Sequence, residues 1–160
     1  MKKKILSLEQ LAAKSGQLRS TGKRVVATNG CFDILHVGHV RYLAAARKLG
    51  DVLVVGLNGD SSVRQLKGEG RPVNPEPDRA EVLAALESVG YVTIFPELRA
   101  TNFLRAAQPS IYAKGGDYTA DTLDSEERAV LAKFGTKIEI IPFEQGYSTS
   151  QLLTRIGKAR

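Results

Sequence analysis

Cysteine is nearly absent from this chain of 160 residues, since Cys31 is the only one. A single cysteine excludes both a disulfide framework and a cysteine-built metal site within one chain. The chain also lacks an apolar run of membrane-spanning length. The apolar stretch after the basic residues 2–4 is too short for a signal peptide, because polar residues follow almost at once. We therefore expect a soluble, cytoplasmic protein with no membrane partner, and at this length a single domain with its own core.

Aromatic residues are also few, at 6% of the chain, and they form no stripe on which nucleic-acid bases could stack. The formal net charge of +6 fits a polyanionic ligand. The basic residues, however, gather at the two termini or alternate with acidic residues. This pattern favours a small polyanion, and we expect no nucleic-acid partner.

Three glycine-containing fingerprints are missing as well. The sequence contains no G-x-x-x-x-G-K-[ST], no G-x-G-x-x-G after the first predicted strand and no G-x-S-x-G nucleophile elbow. The first two absences argue against a P-loop phosphotransferase and an ordinary dinucleotide dehydrogenase.

What the chain does contain is an alternation of short apolar strands and helical patterns. We predict strands at 24–27, 51–57, 91–95, 110–113 and 137–141. We predict helices at 7–19, 40–49, 78–88, 101–107, 125–134 and a last one ending near 156, with a turn at 58–60 and a loop at 67–77. The buried faces are expected at Leu8, Leu11, Ala12, Ser15 and Leu18 in the first helix, with Ser7 as N-cap, and at Val82, Leu86 and Val89 in the third.

This order of elements favours an α/β fold, a Rossmann-like doubly wound sheet of five parallel strands in a single domain. Residues 1–22 would form a leader helix packed on a domain spanning 23–160. In such sheets, ligands bind beyond the carboxyl ends of the strands, near a topological switch point.

The most informative turn, residues 28–39, connects the first strand to the following helix. Gly30 would let a ligand approach the backbone, and His36 and His39 would share one helix face that Gly38 keeps uncrowded. A helix start favours phosphates, and two imidazoles would add donors. The alternative is a capping or core histidine beside a surface one. Cys31 fits a small turn residue better than a nucleophile.

Further candidates follow other strands of the same predicted edge. Residues 148–150 precede the last helix and would cap it, bind phosphate, or both. Lys67 and Arg71 lie in a predicted loop that could fold over a polyphosphate or remain solvated. Arg79 is an unusual cation for the first turn of a helix. Residues 115–117 form either a simple turn or a ledge on which a flat base could rest.

These motifs resemble those of the cytidylyltransferase-like nucleotidyltransferases, which share the H-x-G-H signature with class I aminoacyl-tRNA synthetases. The chain leaves no room for an anticodon-binding domain, which argues against a synthetase. Within the family it most resembles the adenylyltransferase branch of ADP-heptose synthesis. The segments that carry this resemblance are residues 28–39, 66–68, 71–75, 114–118 and 147–150.

The resemblance implies transfer of AMP from ATP to D-glycero-β-D-manno-heptose 1-phosphate, with Mg²⁺, giving pyrophosphate and ADP-heptose for lipopolysaccharide core assembly. It assigns catalytic roles to His36, His39, Lys67, Arg79 and Thr149, and substrate binding to Lys67 and Arg71. It assigns nucleotide binding to Asn29, Gly30, Cys31, Phe32, Asp33, Gly38, Lys114, Gly115, Gly116, Asp117, Ser148 and Thr149. Mg²⁺ would be held by the triphosphate and water, with no protein ligand. The family's habit also implies a homo-oligomer.

Two departures from the family pattern concern the last motif. Residues 142–150 lack the arginine of the R-T-E-G-I-S-T-T motif of glycerol-phosphate cytidylyltransferases, which argues against the cytidylyl branch. Tyr147 and Ser150 replace the usual small residue and threonine. The alternatives are an enzyme that uses CTP or another acceptor such as glycerol 3-phosphate, and a nucleotide-binding regulator without turnover. In many bacteria the activity is fused behind a sugar kinase, and we expect the stand-alone form here.

Overall fold

The predicted five-stranded parallel sheet is confirmed. In a computed structural model, which describes residues 2–116 and 119–159, the strand order is β3-β2-β1-β4-β5 and every neighbouring pair is parallel. The strands are β1 (Val25–Gly30), β2 (Val52–Asn58), β3 (Tyr91–Phe95), β4 (Ile111–Gly115) and β5 (Lys137–Ile141). Because β1 lies between β2 and β4, the strand order reverses beside it, and the switch point is the crevice between β1 and β4.

Helices cover both faces of the sheet. They are α1 (Leu8–Ser20), α2 (Val37–Arg47), α3 (Asp60–Lys67), α4 (Glu76–Ala84), α5 (Thr101–Ala107), α6 (Ser125–Lys133) and α7 (Thr149–Lys158). Two core clusters result. One joins α1, α5 and α6 to residues such as Val25 and Ala27, and the other joins α2 and α4 to residues such as Val26. Alternate residues of β1 therefore point into opposite layers, as a strand buried on both faces requires.

The leader is part of this domain. Ser7 caps α1 with a reciprocal pair of hydrogen bonds, Gln10 N to Ser7 Oγ at 3.1 Å and Ser7 N to Gln10 Oε1 at 2.9 Å. Leu11 and Ser15 are buried as predicted, whereas Ala12 is exposed, so its place in the predicted face was wrong. Ahead of α1, Leu6 N donates to Val92 O at 2.9 Å, which fixes the leader to β3.

Two predicted connections differ from the structure. The turn at 58–60 leads directly into α3, which the sequence analysis missed, so Lys67 ends a helix instead of opening a loop. The third predicted helix is displaced towards the N-terminus, because Pro77 in the first turn of α4 is compatible with helix initiation. The predicted buried face is only partly right: Val82 is exposed, whereas Val89, beyond the end of α4, is buried as predicted. The buried residues of α4 itself are Arg79, Ala80, Leu83 and Ala84.

Candidate active site

The candidate site lies at the carboxyl ends of β1 and β4, where Tyr42 connects both strands to α2 and Tyr112 connects β4 to β1. Tyr42 of α2 donates to Ala113 O at 3.1 Å and lies 2.7 Å from Thr28 Oγ1. Burial raises the pKa of Tyr42 to about 12. Tyr112 donates to Asn29 Oδ1, so the Asn29 amide predicted to bind a nucleotide has its oxygen engaged. The sequence analysis did not identify either tyrosine, because both contacts join distant segments.

The two histidines share one face at the start of α2, as predicted. His36 is the N-cap of the helix, with an extended backbone. The two imidazole rings stack with centroids 3.9 Å apart and 30° between their planes. His39 Nδ1 accepts from His36 N at 3.4 Å, which leaves Nε2 of a neutral His39 as the nitrogen that carries hydrogen. The pair therefore directs an N–H donor away from the helix backbone.

Burial governs the charge of both rings. It lowers the pKa of His39 to about 4, with a further contribution from His36, and it lowers the pKa of His36 as well. Both side chains are thus neutral at pH 7. His36 Nδ1 is buried, and no group in residues 2–116 or 119–159 hydrogen-bonds to it. The site therefore offers a polar atom that only a ligand or water can satisfy.

The glycines of this turn make room for side chains. A Cβ on Gly38 would lie 2.8 Å from Tyr147 Cβ and 2.9 Å from the His36 ring. A Cβ on Gly30 would lie 3.0 Å from the Phe32 ring, which packs edge-on against His39 with centroids 5.4 Å apart. We expected Gly30 to let a ligand approach, but its missing side chain makes room for the Phe32 ring instead. The lack of a side chain at Gly30 and Gly38 thus allows the rings around the histidine pair to pack closely.

Asp33 organises the loop that follows α3. Its buried carboxylate accepts from Arg71 Nε at 2.6 Å and from Val73 N and Asn74 N at 2.9 Å. Burial raises the pKa of Asp33, but the hydrogen bonds from Asn74, Val73 and Arg71 outweigh it and hold the pKa below its usual range. The hydrogen-bonding capacity of the Asp33 carboxylate is therefore used by the protein itself. Arg71 reaches the site already paired with Asp33.

Arg79 is buried and its guanidinium is surrounded by oxygen atoms. Nε donates to Asn74 O at 2.9 Å, Nη1 to Cys31 O at 2.6 Å and Asn58 O at 2.9 Å, and Nη2 to Asp60 Oδ1 at 2.7 Å. Four of its five N–H groups are thus occupied. These bonds leave one N–H group of Arg79 for the catalytic role that the resemblance assigns to it. Arg79 also joins α4 to the turn after β1, the end of β2 and the start of α3.

Positive charge nevertheless faces the turn. Burial raises the pKa of the Cys31 thiol, and the nearby charges of Lys67, Arg79 and Arg71 oppose that shift. The thiol is protonated at pH 7, which disfavours a nucleophilic Cys31. Lys67 is exposed at the end of α3, and within the described part of the chain its ammonium forms no ion pair.

The end of β4 carries three further predicted residues. Burial lowers the pKa of Lys114, against the opposing charge of Glu127, and its ammonium lies 5.7 Å from the Tyr112 ring centroid. Gly115 and Gly116 follow, with Gly116 at φ +75°, a conformation that favours glycine. Asp117, the fourth residue predicted here, lies outside the described residues.

The start of α7 lies beside the start of α2. Ser148 caps α7 by accepting from Gln151 N at 3.1 Å, and Thr149 is the first helical residue. Arg41 of α2 donates to Glu144 Oε2 at 2.7 Å, and its guanidinium lies 5.4 Å from the Tyr147 ring centroid. Two helix N-termini therefore converge near the histidines, an arrangement that favours an anion. No cluster of three His, Cys, Asp or Glu side chains suited to a metal occurs among the described residues.

None of the helices within residues 2–116 and 119–159 is both long and apolar enough to cross a bilayer.

Nearly the whole chain is similar to one part of several larger curated proteins. The bifunctional protein HldE of Geobacter sulfurreducens is 46% identical over 98% of this chain and 31% of that protein. HldE of Aliarcobacter butzleri is 48% identical over 93% of this chain and 29% of that protein. The chain thus spans less than a third of the length of these relatives.

Two solved structures have a similar fold. The lipopolysaccharide core biosynthesis protein from Thermoplasma volcanium superposes with a TM-score of 0.64 and 30% identity, over 79% of this chain and 100% of that one. Pantoate-beta-alanine ligase from Francisella tularensis shares the fold, with a TM-score of 0.56 and 15% identity over 88% of this chain and 67% of that one. The model of the cytidylyltransferase-like family matches residues 27–155. This chain therefore belongs to the cytidylyltransferase-like family.

Proposed function

We propose that this chain is a nucleotidyltransferase that moves AMP from ATP to D-glycero-β-D-manno-heptose 1-phosphate, releasing pyrophosphate and ADP-heptose. The observation that carries the proposal is the stacked, neutral pair of His36 and His39 at the convergence of two helix starts. Similarity to proteins named HldE and to a lipopolysaccharide core biosynthesis protein supports the heptose branch.

The reaction requires positioning and charge stabilisation more than covalent help from the protein. An oxygen of the sugar phosphate attacks the α-phosphorus of ATP, and the bond to pyrophosphate breaks on the opposite side. His36 and His39 would donate to the triphosphate as negative charge moves onto the leaving group. Two neutral rings can stack side by side without charge repulsion, and bound phosphate would raise their pKa towards the charged form.

The phosphates that depart would lie at the start of α7. Thr149 would contribute its hydroxyl and the helix its free N–H groups, with Ser148 holding the helix cap. When bound, Mg²⁺ would neutralise part of the triphosphate charge. It would reach the site on the nucleotide, because Asp33 is already engaged by Arg71, Val73 and Asn74.

The acceptor would bind on the side of α3. Lys67 is exposed there and its charge acts on the Cys31 thiol, so we propose that it holds the acceptor's phosphate. Arg71 is ion-paired with Asp33, which limits it to a shared contact with the acceptor. Arg79 acts as a positioning residue for the same loop.

Pyrophosphate release with Mg²⁺ tests the proposal directly. ATP is compared with CTP, and the heptose 1-phosphate with glycerol 3-phosphate. We expect turnover only with ATP and the heptose phosphate. Turnover only with CTP or the other acceptor would keep the chemistry and overturn the branch, and ATP binding without pyrophosphate release from any acceptor would identify a regulator.

We also propose that the enzyme works in the cytoplasm as a homo-oligomer. Every residue of α7 keeps some solvent exposure. A second copy of the chain is the simplest partner for this helix.

A further inference from the structure

Phe143 lies in the connection between β5 and α7, and the sequence analysis assigned it no role. It is 66% exposed, more than any other large hydrophobic residue of the described chain. The ring nevertheless lies against two glycines at the end of β4. A Cβ built on Gly115 would lie 3.0 Å from the ring, and one built on Gly116 would overlap it. The ring therefore rests on the bare backbone of two consecutive glycines while its other face remains open to solvent.

The position of these glycines is the second part of the argument. Gly115 ends β4, the strand that borders the switch point, and pairs with Ile141 of β5. Gly116 N donates to Ile141 O at 2.9 Å, so the backbone here is held rigidly by the sheet. Two glycines without side chains at such an edge offer a flat surface of peptide planes. In this structure an aromatic ring covers that surface.

The same connection also reaches the phosphate side of the site. Four residues after Phe143, Tyr147 packs on Gly38 next to the His36 ring, and Ser148 then caps α7. Glu144, next to Phe143, is held by Arg41 of α2 at 2.7 Å. A nucleotide with its phosphates at His36 and the α7 start would therefore extend its base along this connection towards the two glycines.

We propose that Phe143 is the base-stacking residue of the nucleotide site: the phenyl ring, seated on Gly115–Gly116, offers its open face to the base. This inference rests on the proposed use of ATP. The large exposure of Phe143 has a physical reason in this arrangement, because its stacking partner arrives with the nucleotide. Stacking is tolerant of base identity, since every base presents a π-face, so Phe143 adds affinity for nucleotides as a class.

Substitution of Phe143 separates base contact from phosphate contact. In Phe143→Ala we expect KM for ATP to rise about tenfold, with a smaller change in kcat. Inhibition by inorganic tripolyphosphate, which has no base, should be unchanged. Equal weakening of ATP and tripolyphosphate would overturn the inference, because the ring would then only support the loop. Since the side chain is largely exposed, the variant should fold, which far-ultraviolet circular dichroism checks.

A fluorescent version gives a readout that is independent of turnover. The chain contains no tryptophan, so Phe143→Trp introduces a single reporter. ATP should quench its emission and tripolyphosphate should not. Val82→Trp, on the exposed face of α4, is the matched control and should respond to neither.

The two proposals can fail separately. If the wild-type chain turns over ATP while Phe143→Ala keeps a normal KM and Phe143→Trp stays silent, the stacking role is wrong and the proposed function stands. If the wild-type chain binds no ATP and releases no pyrophosphate from it, the proposed function fails and this inference with it.

Discussion

His39 is the side chain on which the proposed chemistry depends most directly. Its Nδ1 accepts from the backbone of His36, so its Nε2–H is the free donor. We predict that His39→Ala lowers kcat for pyrophosphate release about a hundredfold, roughly 3 kcal/mol of transition-state stabilisation. Steady-state assays with ATP and the heptose 1-phosphate measure the effect.

A loss of activity could also come from misfolding, since His39 packs against Phe32 and His36. Urea unfolding of His39→Ala serves as the control for folding. His36→Asn is the matched variant at the other histidine, and it keeps a residue suited to the N-cap position of α2. Near-normal turnover in a folded His39→Ala protein would refute the donor role.

The same ring should make stability depend on pH. The pKa of His39 is about 4 in the folded protein, below its ordinary value of 6.5. Between these values the unfolded chain holds a proton that the folded chain does not, so the stabilisation present above pH 6.5 is lost as pH falls towards 4. We expect the free energy of unfolding to drop by about 1 to 2 kcal/mol between pH 7 and 5, solvent screening included.

Urea unfolding at the two pH values gives this difference, and His39→Gln should remove most of it. The lowered pKa of His36 acts in the same window and accounts for the part that remains. The depressed pKa of Asp33 acts below pH 3.8 and does not contribute in this window. An equal pH dependence in the wild type and the variant would show that His39 is not the responsible group.

Individual residues differ in how far the sequence predicts them. The shared face of His36 and His39 follows from helical spacing and was predicted. Asp33 and Arg79 were predicted as ligand-facing residues, yet their partners, such as Asn58 and Asp60, are other parts of the protein. A charged residue near a phosphate site has the same sequence signature whether it binds the ligand or the loop beside it.

Between elements, the Arg79 guanidinium is the main connection of α4 to the site. Its removal takes one donor from each of the carbonyls of Cys31 and Asn58 and leaves Asp60 without its ion-pair partner. We predict that Arg79→Met destabilises the fold by about 3 kcal/mol. KM for the acceptor should also rise, because the 71–74 loop loses its anchor at Asn74.

Denaturant unfolding and acceptor titration test the two effects. Arg99→Met is the matched control, since the Arg99–Asp124 pair is exposed on its arginine side and such pairs contribute at most about 1 kcal/mol. If both arginine variants lost the same small amount of stability, the guanidinium would not be a structural connection.

Elements were predicted best where hydrophobic pattern and chain breakers coincide. The bounds of β3, α5 and β5 agree with the prediction. α3 was missed because it is only eight residues long and contains just two apolar residues, Val63 and Leu66, which is too short a pattern to predict a helix.

At the scale of the whole molecule, the site is assembled by contacts that sequence spacing does not encode. Arg41 and Glu144 are 103 residues apart, and Tyr42 and Ala113 are 71 apart. Parallel strands bring their carboxyl ends to the same edge of the sheet, so the prediction that the turns after these strands lie together was correct. The stacking of the histidines beside Tyr147, and the cover that Phe143 forms over two glycines, depend on the folded chain.

Oligomerisation is the last property that belongs to the whole molecule. β5 is an edge strand with Ile140 exposed, and α7 leaves Ile156 50% exposed. Burying such apolar side chains against a second copy gains about 25 cal/mol per Å² removed from water. We predict that the chain sediments as a dimer or larger assembly at micromolar concentration and that Ile156→Glu shifts it towards monomer. Val82→Glu, at a similarly exposed site on α4, should leave the mass unchanged. A wild-type monomer would mean that α7 is simply a solvated helix, whereas equal dissociation by both variants would place the interface away from α7.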